Sequence, residues 1–244
     1  GMSERTGRGY ERIDHPDSGS TLARESYEAM AVSSRYLGSA GAIRRFVGDQ
    51  ARSKRKDRPL RVLDIGAGAC DIAEDIARWA KSQSLPVQFT CIDPNIYAVR
   101  RARQRLSGSP DLNVVVRCER IENHTSDFPY DCAVGSLFFH HFQPHEILEI
   151  ITHLRTMVRR SVFINDLQRH PVAFMGFLAL GPALAPGVWH DGLNSIRRGF
   201  QACELQSLLE RLPGVEVSAR SEMLFRVTAT VRFLRNRGKG VKKE

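Results

Sequence analysis

The stretch Val62-Leu63-Asp64-Ile65-Gly66-Ala67-Gly68-Ala69-Cys70-Asp71, followed by Cys91-Ile92-Asp93-Pro94-Asn95, decides the fold. An apolar run breaks into a glycine-rich turn, and a later run ends in a carboxylate. Asp93 lies 27 residues beyond Gly66, about the length of one turn, one helix and one strand in a βαβ unit. Gly66 and Gly68 let the backbone approach a ligand where a Cβ would collide. A carboxylate at the tip of the next parallel strand can accept both hydroxyls of a ribose. The segment therefore reads as a site for an adenosine-containing ligand.

The third glycine of the dinucleotide fingerprint is missing, because Gly66-x-Gly68-x-x-Asp71 ends in an acid. Free N–H groups and the helix dipole make a helix start attractive to a pyrophosphate. A carboxylate at Asp71 repels such a group and tolerates a ligand without phosphate. Asp64 adds a second acid, suited to an ammonium or, through water, to an amino acid moiety. S-adenosylmethionine has these features: a ribose, an adenine, an amino group and a sulfonium, with no phosphate. The plain alternative is an ordinary strand–turn–helix junction that binds nothing.

On these motifs, from roughly Arg61 to Phe233, the chain resembles the class I S-adenosylmethionine-dependent methyltransferases. The resemblance implies that Asp64, Gly66, Ala67 and Gly68 wrap the methionine part, while Asp93, with Pro94 and Asn95 beside it, holds the ribose. It places Glu119 near the adenine amino group, after the apolar run Val114-Val115-Val116, with Arg120 and Ile121 flanking the base. A solvated loop acid is the other reading of Glu119. The bound product would be S-adenosylhomocysteine.

Apolar periodicity predicts the remaining architecture. Strands read at 60–65, 88–92, 113–117, 130–136 and 161–165, with helices at 72–82, 96–106 and 144–158 between them and another at 201–212. Such alternation implies a doubly wound, Rossmann-like α/β fold: a parallel sheet, helices on both faces, ligands at the carboxyl ends of the strands. The pair 216–221 and 225–233 alternates like an antiparallel hairpin, which the resemblance also implies at this end of the sheet. Residues 1–20 read as disordered, 21–58 as an N-terminal helical cap of two helices broken near Gly38-Ser39, 59–235 as the ligand-binding domain, and 236–244 as a basic tail. The apolar run Val172–Trp189 is interrupted by Pro182, Pro186 and three glycines, which argues against a spanning helix. It is expected to form a lid, about 171–199, that shelters a hydrophobic acceptor.

Composition sets the broad class. The chain has 244 residues, 42% hydrophobic and 26% charged, ordinary values for a globular enzyme. Five cysteines without Cys-x-x-Cys spacing argue against a disulfide framework and a zinc site, so no metal is expected. The polar start shows no signal-peptide pattern, and a cytoplasmic location is expected. The net charge of +9 gathers in Arg52–Arg58, in the helix Arg100–Arg105 and in the tail after Arg235. The helix is expected far from the strand tips, and none of the three segments interleaves aromatics as single-strand binders do. Solvated surface charge is therefore favoured over a nucleic-acid partner. The oligomeric state, a homodimer included, stays open.

The fourth strand bears on the acceptor. Gly135 and Ser136 stand at its carboxyl end over the cofactor, followed by Leu137-Phe138-Phe139-His140-His141-Phe142. The Asn/Asp-Pro-Pro-aromatic motif of base-amine methyltransferases is not there. The segment instead resembles the quinone, polyketide and small-molecule branch, which implies a phenolic, quinone or polyketide-like acceptor methylated at oxygen or carbon. A phenol has a pKa of about 10, so a histidine can serve as base. His170 is the first candidate, then His140 or His190. His141, Asp166, Arg169, Arg197 and Arg198 are candidate acceptor contacts, the last two steering an acidic group. A structural histidine pair at 140–141, and Asp166 as a helix cap, are the blander readings. An RNA or protein methyltransferase using the basic surface is the alternative function.

Overall fold

Short apolar runs bounded by polar turns become the strands of one sheet. The computed structural model describes residues 39–54, 57–169, 193–194, 196–223 and 225–234. Among them, seven strands lie in the order β3-β2-β1-β4-β5-β7-β6. They are β1 (Leu60–Ile65), β2 (Val87–Asp93), β3 (Val114–Cys118), β4 (Tyr130–Ser136), β5 (Val158–Leu167), β6 (Val215–Glu222) and β7 (Arg226–Phe233). The central strands β1 and β4 are buried along almost their whole length, as continuous apolar sequence requires. Edge strands β3 and β6 alternate between partly covered and exposed residues.

The first five strands run parallel, and β7 pairs antiparallel with both β5 and β6. The chain winds outward from β1 through β2 to β3, then returns to the other side of β1 with β4. Strand order therefore reverses between β1 and β4, and in an open α/β sheet a crevice for ligands opens there. The glycine turn after β1 and the tip of β4 face that crevice.

The α-helices that pack on the sheet include α1 (Ser39–Arg52), α2 (Asp71–Ser82), α3 (Ile96–Leu106), α4 (Pro144–Met157) and α5 (Ala202–Leu209). α1 covers the sheet through Ala42, Ile43, Phe46 and Val47, and the Phe46 ring stacks on Phe163 of β5 at 4.7 Å between centroids. α2 and α3 turn small residues inward, Ala73, Ala77 and Ala80 from one and Ala98 and Ala102 from the other. On the opposite face α4 and α5 bury Ile147, Ile151, Leu154, Leu205 and Leu209. α3 starts where the Asn95 side chain accepts from the N–H groups of Tyr97 and Ala98.

The predicted elements stand with small shifts at their ends. The largest is at β5, which begins at Val158, directly where α4 ends. Arg159 and Arg160 are not apolar, so the run read from the sequence starts only at Ser161. Of the two helices expected ahead of β1, the second is α1; the first lies outside the described residues. So do the segment Val172–Trp189, His170 and His190.

Candidate active site

Sharp backbone geometry marks the turn after β1. Gly66 and Gly68 both have positive φ, 63° and 56°, and so does Cys70 at 60°. A Cβ on Gly66 would stand 2.4 Å from a ring carbon of Phe138, so the phenylalanine lies directly on this glycine. Phe138 follows Leu137, itself left-handed with φ 54°. Its ring packs edge-on against Phe139 and tilts against Phe142. Gly135 makes room for the neighbouring ring, since a Cβ there would meet Phe139 at 2.6 Å.

Asp93 ends β2 and closes the turn. Its Oδ2 accepts from the N–H of Gly68 at 2.8 Å and its Oδ1 from the N–H of Asn95 at 2.8 Å. Each oxygen retains acceptor capacity, so the carboxylate is rigidly held and can still take two hydroxyls. Burial raises the Asp93 pKa, opposed by the N–H groups of Asn95 and Gly68. Asp64 is buried on β1, and burial, with the charge of Asp93 added, pushes its pKa up to about 7. Two buried acids beside a tight turn form a cradle for a cation and a diol. They disfavour a diphosphate.

Several predicted ligand contacts have protein partners. Asp71, at the start of α2, pairs with Arg105 at 3.1 Å. Arg105 also pairs with Glu74 and donates to the Ala69 carbonyl at 2.6 Å. The end of the basic helix thus reaches the glycine turn, contrary to the expectation that this helix lies far from the strand tips. Ala67 donates its N–H to the Ile92 carbonyl, Pro94 is exposed, and Asn95 caps α3. Glu119 accepts from or pairs with His124 Nδ1 at 2.9 Å, while His124 Nε2 meets the Tyr130 hydroxyl at 3.0 Å. Arg120 pairs with Glu122.

At the neighbouring strand tips, Ser136 Oγ accepts from the Asn165 amide at 3.2 Å. His140 and Asp166 meet in the interior. His140 Nδ1 is 2.7 Å from Asp166 Oδ1, and the backbone N–H of His140 donates to Oδ2 at 3.1 Å. Asp166 also accepts from the Leu167 N–H at 2.8 Å. Its burial raises the carboxyl pKa, but the charge and hydrogen bond of His140, the Leu167 N–H and the charge of Arg226 together hold it below the ordinary value. An ionised carboxylate only accepts, so Nδ1 carries the proton and, in the neutral ring, Nε2 keeps a lone pair. Asp166 faces His140 rather than capping a helix or opening toward an acceptor.

The other predicted acceptor contacts gather around the end of β5, where Gln168 bridges to Phe200 and sets Arg169 beside the segment that carries Arg197 and Arg198. The His141 ring lies 4.1 Å from that of His140. Arg169 is buried and pairs with Glu204 at 3.2 Å. Arg197 is exposed and Arg198 buried. Phe138 and Arg226 also belong to this end of the sheet and were not singled out as site residues. A phenylalanine in an apolar segment and an arginine in a strand carry no local mark of a site.

Residues 62–161 match the family model described as a methyltransferase domain. No curated protein matches the sequence. Among solved structures, the plantazolicin methyltransferase BpumL in complex with S-adenosylhomocysteine superposes with a TM-score of 0.69 at 17% identity, over 92% of this chain and 93% of that one. The plantazolicin methyltransferase BamL, bound to a triazolic desmethylplantazolicin analogue, gives 0.66 at 17%, over 92% and 93%. Magnesium protoporphyrin IX methyltransferase from Synechocystis PCC 6803, with bound S-adenosylmethionine, gives 0.61 at 10%, over 93% and 100%. Residues 62–161 are thus similar to a methyltransferase domain, and the order of the strands is that of a Rossmann-like fold closed by an antiparallel hairpin.

Proposed function

We propose that the protein transfers a methyl group from S-adenosylmethionine to a small hydrophobic acceptor, at a phenolic or enolic oxygen, with His140 as the base. The hydrogen-bonded pair of His140 and Asp166 carries this reading. It joins the tips of β4 and β5, beside the crevice where the glycine turn lies. Asp166 keeps Nδ1 protonated, which puts the lone pair of a neutral ring on Nε2, the atom that would take the acceptor's proton. Asp93 would take the ribose hydroxyls, Asp64 the amino group, and Gly66 and Gly68 give the backbone room to lie against the methionine chain. The cofactor supplies a methyl on a cationic sulfur, which needs in-line approach more than acid–base help. Removing the acceptor's proton is the protein's chemical contribution.

The test is turnover of a panel of phenols and quinones with labelled S-adenosylmethionine, read by product mass, for wild type, His140→Gln and Asp166→Asn. His140→Gln is expected to lower kcat by roughly 10²–10⁴-fold while the calorimetric affinity for S-adenosylhomocysteine stays within about twofold of wild type. Asp166→Asn is expected to follow it in the same direction. Unchanged kcat in both variants removes His140 from the chemistry.

A further inference from the structure

Arg226 opens β7, opposite Leu167 on the last rung of the β5–β7 ladder. The residue is 2% exposed, and Nε, Nη1 and Nη2 all lack a hydrogen-bond partner among the described residues. A guanidinium carries five N–H donors in a flat fork. Burying one with nothing to accept from it is strongly unfavourable, so a fold that keeps it gives it another use. Burial draws its pKa down to about 10, while the charge of Asp166 opposes that fall.

The nearby carboxylates are committed elsewhere. Asp166 accepts from the His140 ring, the His140 N–H and the Leu167 N–H. Glu222, the rung partner on β6, accepts from Arg220 and from the Thr228 hydroxyl. Asp166 thus balances the charge of Arg226 without filling its fork.

Placement gives the fork a purpose. Paired residues of a sheet share a face, as do residues two apart on one strand. Arg226 therefore lies on the same face as Thr228 and Asn165, and Asn165 holds Ser136 of β4. Ser136, Asn165, Thr228 and Arg226 form a polar row across the carboxyl edge of the sheet, and the last three are buried. The row begins at the tip of β4, beside the crevice, in the part of the sheet where the acceptor is expected.

We propose that Arg226 receives the carboxylate of the acceptor, so that the preferred substrates are hydrophobic acids rather than neutral phenols. A planar carboxylate matches the fork with two parallel hydrogen bonds. A phosphate dianion fits less well, because Glu222 on the same rung and Asp166 on the next already bring negative charge nearby. This inference rests on the methyltransferase reading above and names its substrate class. It also moves the anion-steering expected of Arg197 and Arg198 to a residue inside the sheet.

The test uses the full chain, wild type and Arg226→Met, in thermal unfolding and calorimetry. The probes are S-adenosylhomocysteine alone, then 1-hydroxy-2-naphthoate or its amide in its presence. S-adenosylhomocysteine is expected to raise the Tm of both proteins; if it raises neither, the methyltransferase reading fails instead. Without ligand, Arg226→Met is expected to melt at or above wild type, since it loses an unfilled buried charge. The naphthoate is expected to bind wild type at least about tenfold more tightly than Arg226→Met, and the amide to bind both alike. Naphthoate binding that is absent from wild type, equal in the two proteins, or no stronger than amide binding overturns the proposal. If the Met variant does not fold, Arg226→Lys keeps the charge without the fork, and undiminished naphthoate binding there overturns it equally.

Discussion

At the scale of single residues, Asp64 holds the least comfortable charge in the candidate cofactor site. Its pKa is raised to about 7, so the folded protein binds that proton more tightly than the unfolded chain does. The penalty grows as pH rises above the ordinary carboxylate value and is complete above about 7. At its full extent it is on the order of 4 kcal/mol. Asp64→Asn is therefore expected to stabilise the ligand-free protein at pH 8 and to change little near pH 4, as read by urea unfolding at both. If Asp64 meets the amino group, the same substitution weakens S-adenosylhomocysteine binding. Wild-type affinity then declines by up to about tenfold per pH unit below 7. Equal stability of the two proteins at pH 8 would show that Asp64 is not under strain. The acids of this site could be picked out in the sequence because Asp64 and Asp93 stand at strand ends beside glycines. The pairing of His140 with Asp166 could not, since 26 residues separate them and only the adjacency of β4 and β5 brings them together. Arg226 was harder still, because a charge at a strand end ordinarily faces water.

At the scale of elements, Arg105 ties the end of α3 to the start of α2 and to the turn between β1 and α2. It meets Glu74, Asp71 and the Ala69 carbonyl with one guanidinium. Arg105→Ala is expected to lower stability by about 1–2 kcal/mol, and, by loosening the turn, to weaken S-adenosylhomocysteine binding. Urea midpoints and calorimetry check the two effects. Loss of stability with intact binding would mean that Asp93 and the glycines hold the turn unaided. This cross-link explains why Asp71 stands where the dinucleotide fingerprint has its last glycine. The acid has a fixed partner in the fold, whatever it also does to ligands. The strands were legible because buried runs such as Leu60–Ile65 and Tyr130–Ser136 end sharply at glycine or polar residues. The junction of α4 and β5 was not, since the chain changes from helix to strand at Val158 without a glycine or proline.

Across the whole molecule, ion pairs bind the segment ahead of β1 to the core. Arg58 meets Asp131 of β4 through two bonds of 2.7 Å, and the N–H of Arg61 adds a third to the same carboxylate. Burial raises the Asp131 pKa, but the hydrogen bonds from Arg58 and Arg61 and the nearby positive charge outweigh it, and the net value is lowered. A carboxylate lowered on folding contributes stability above its unfolded pKa and loses it as pH falls through the folded one. Asp131→Asn is thus expected to melt below wild type at pH 7, with the gap closing near pH 3, in a thermal series across that range. A gap that persists at low pH would assign the loss to packing rather than charge. Among the described residues no helix is long and apolar enough to cross a membrane. The contact of Phe138 with Gly66 has a practical meaning for anyone redesigning this protein. The tip of β4 rests on the turn of β1, so a graft that replaces residues 137–142 alone would disturb that turn. A workable chimera must transplant the two segments as one module.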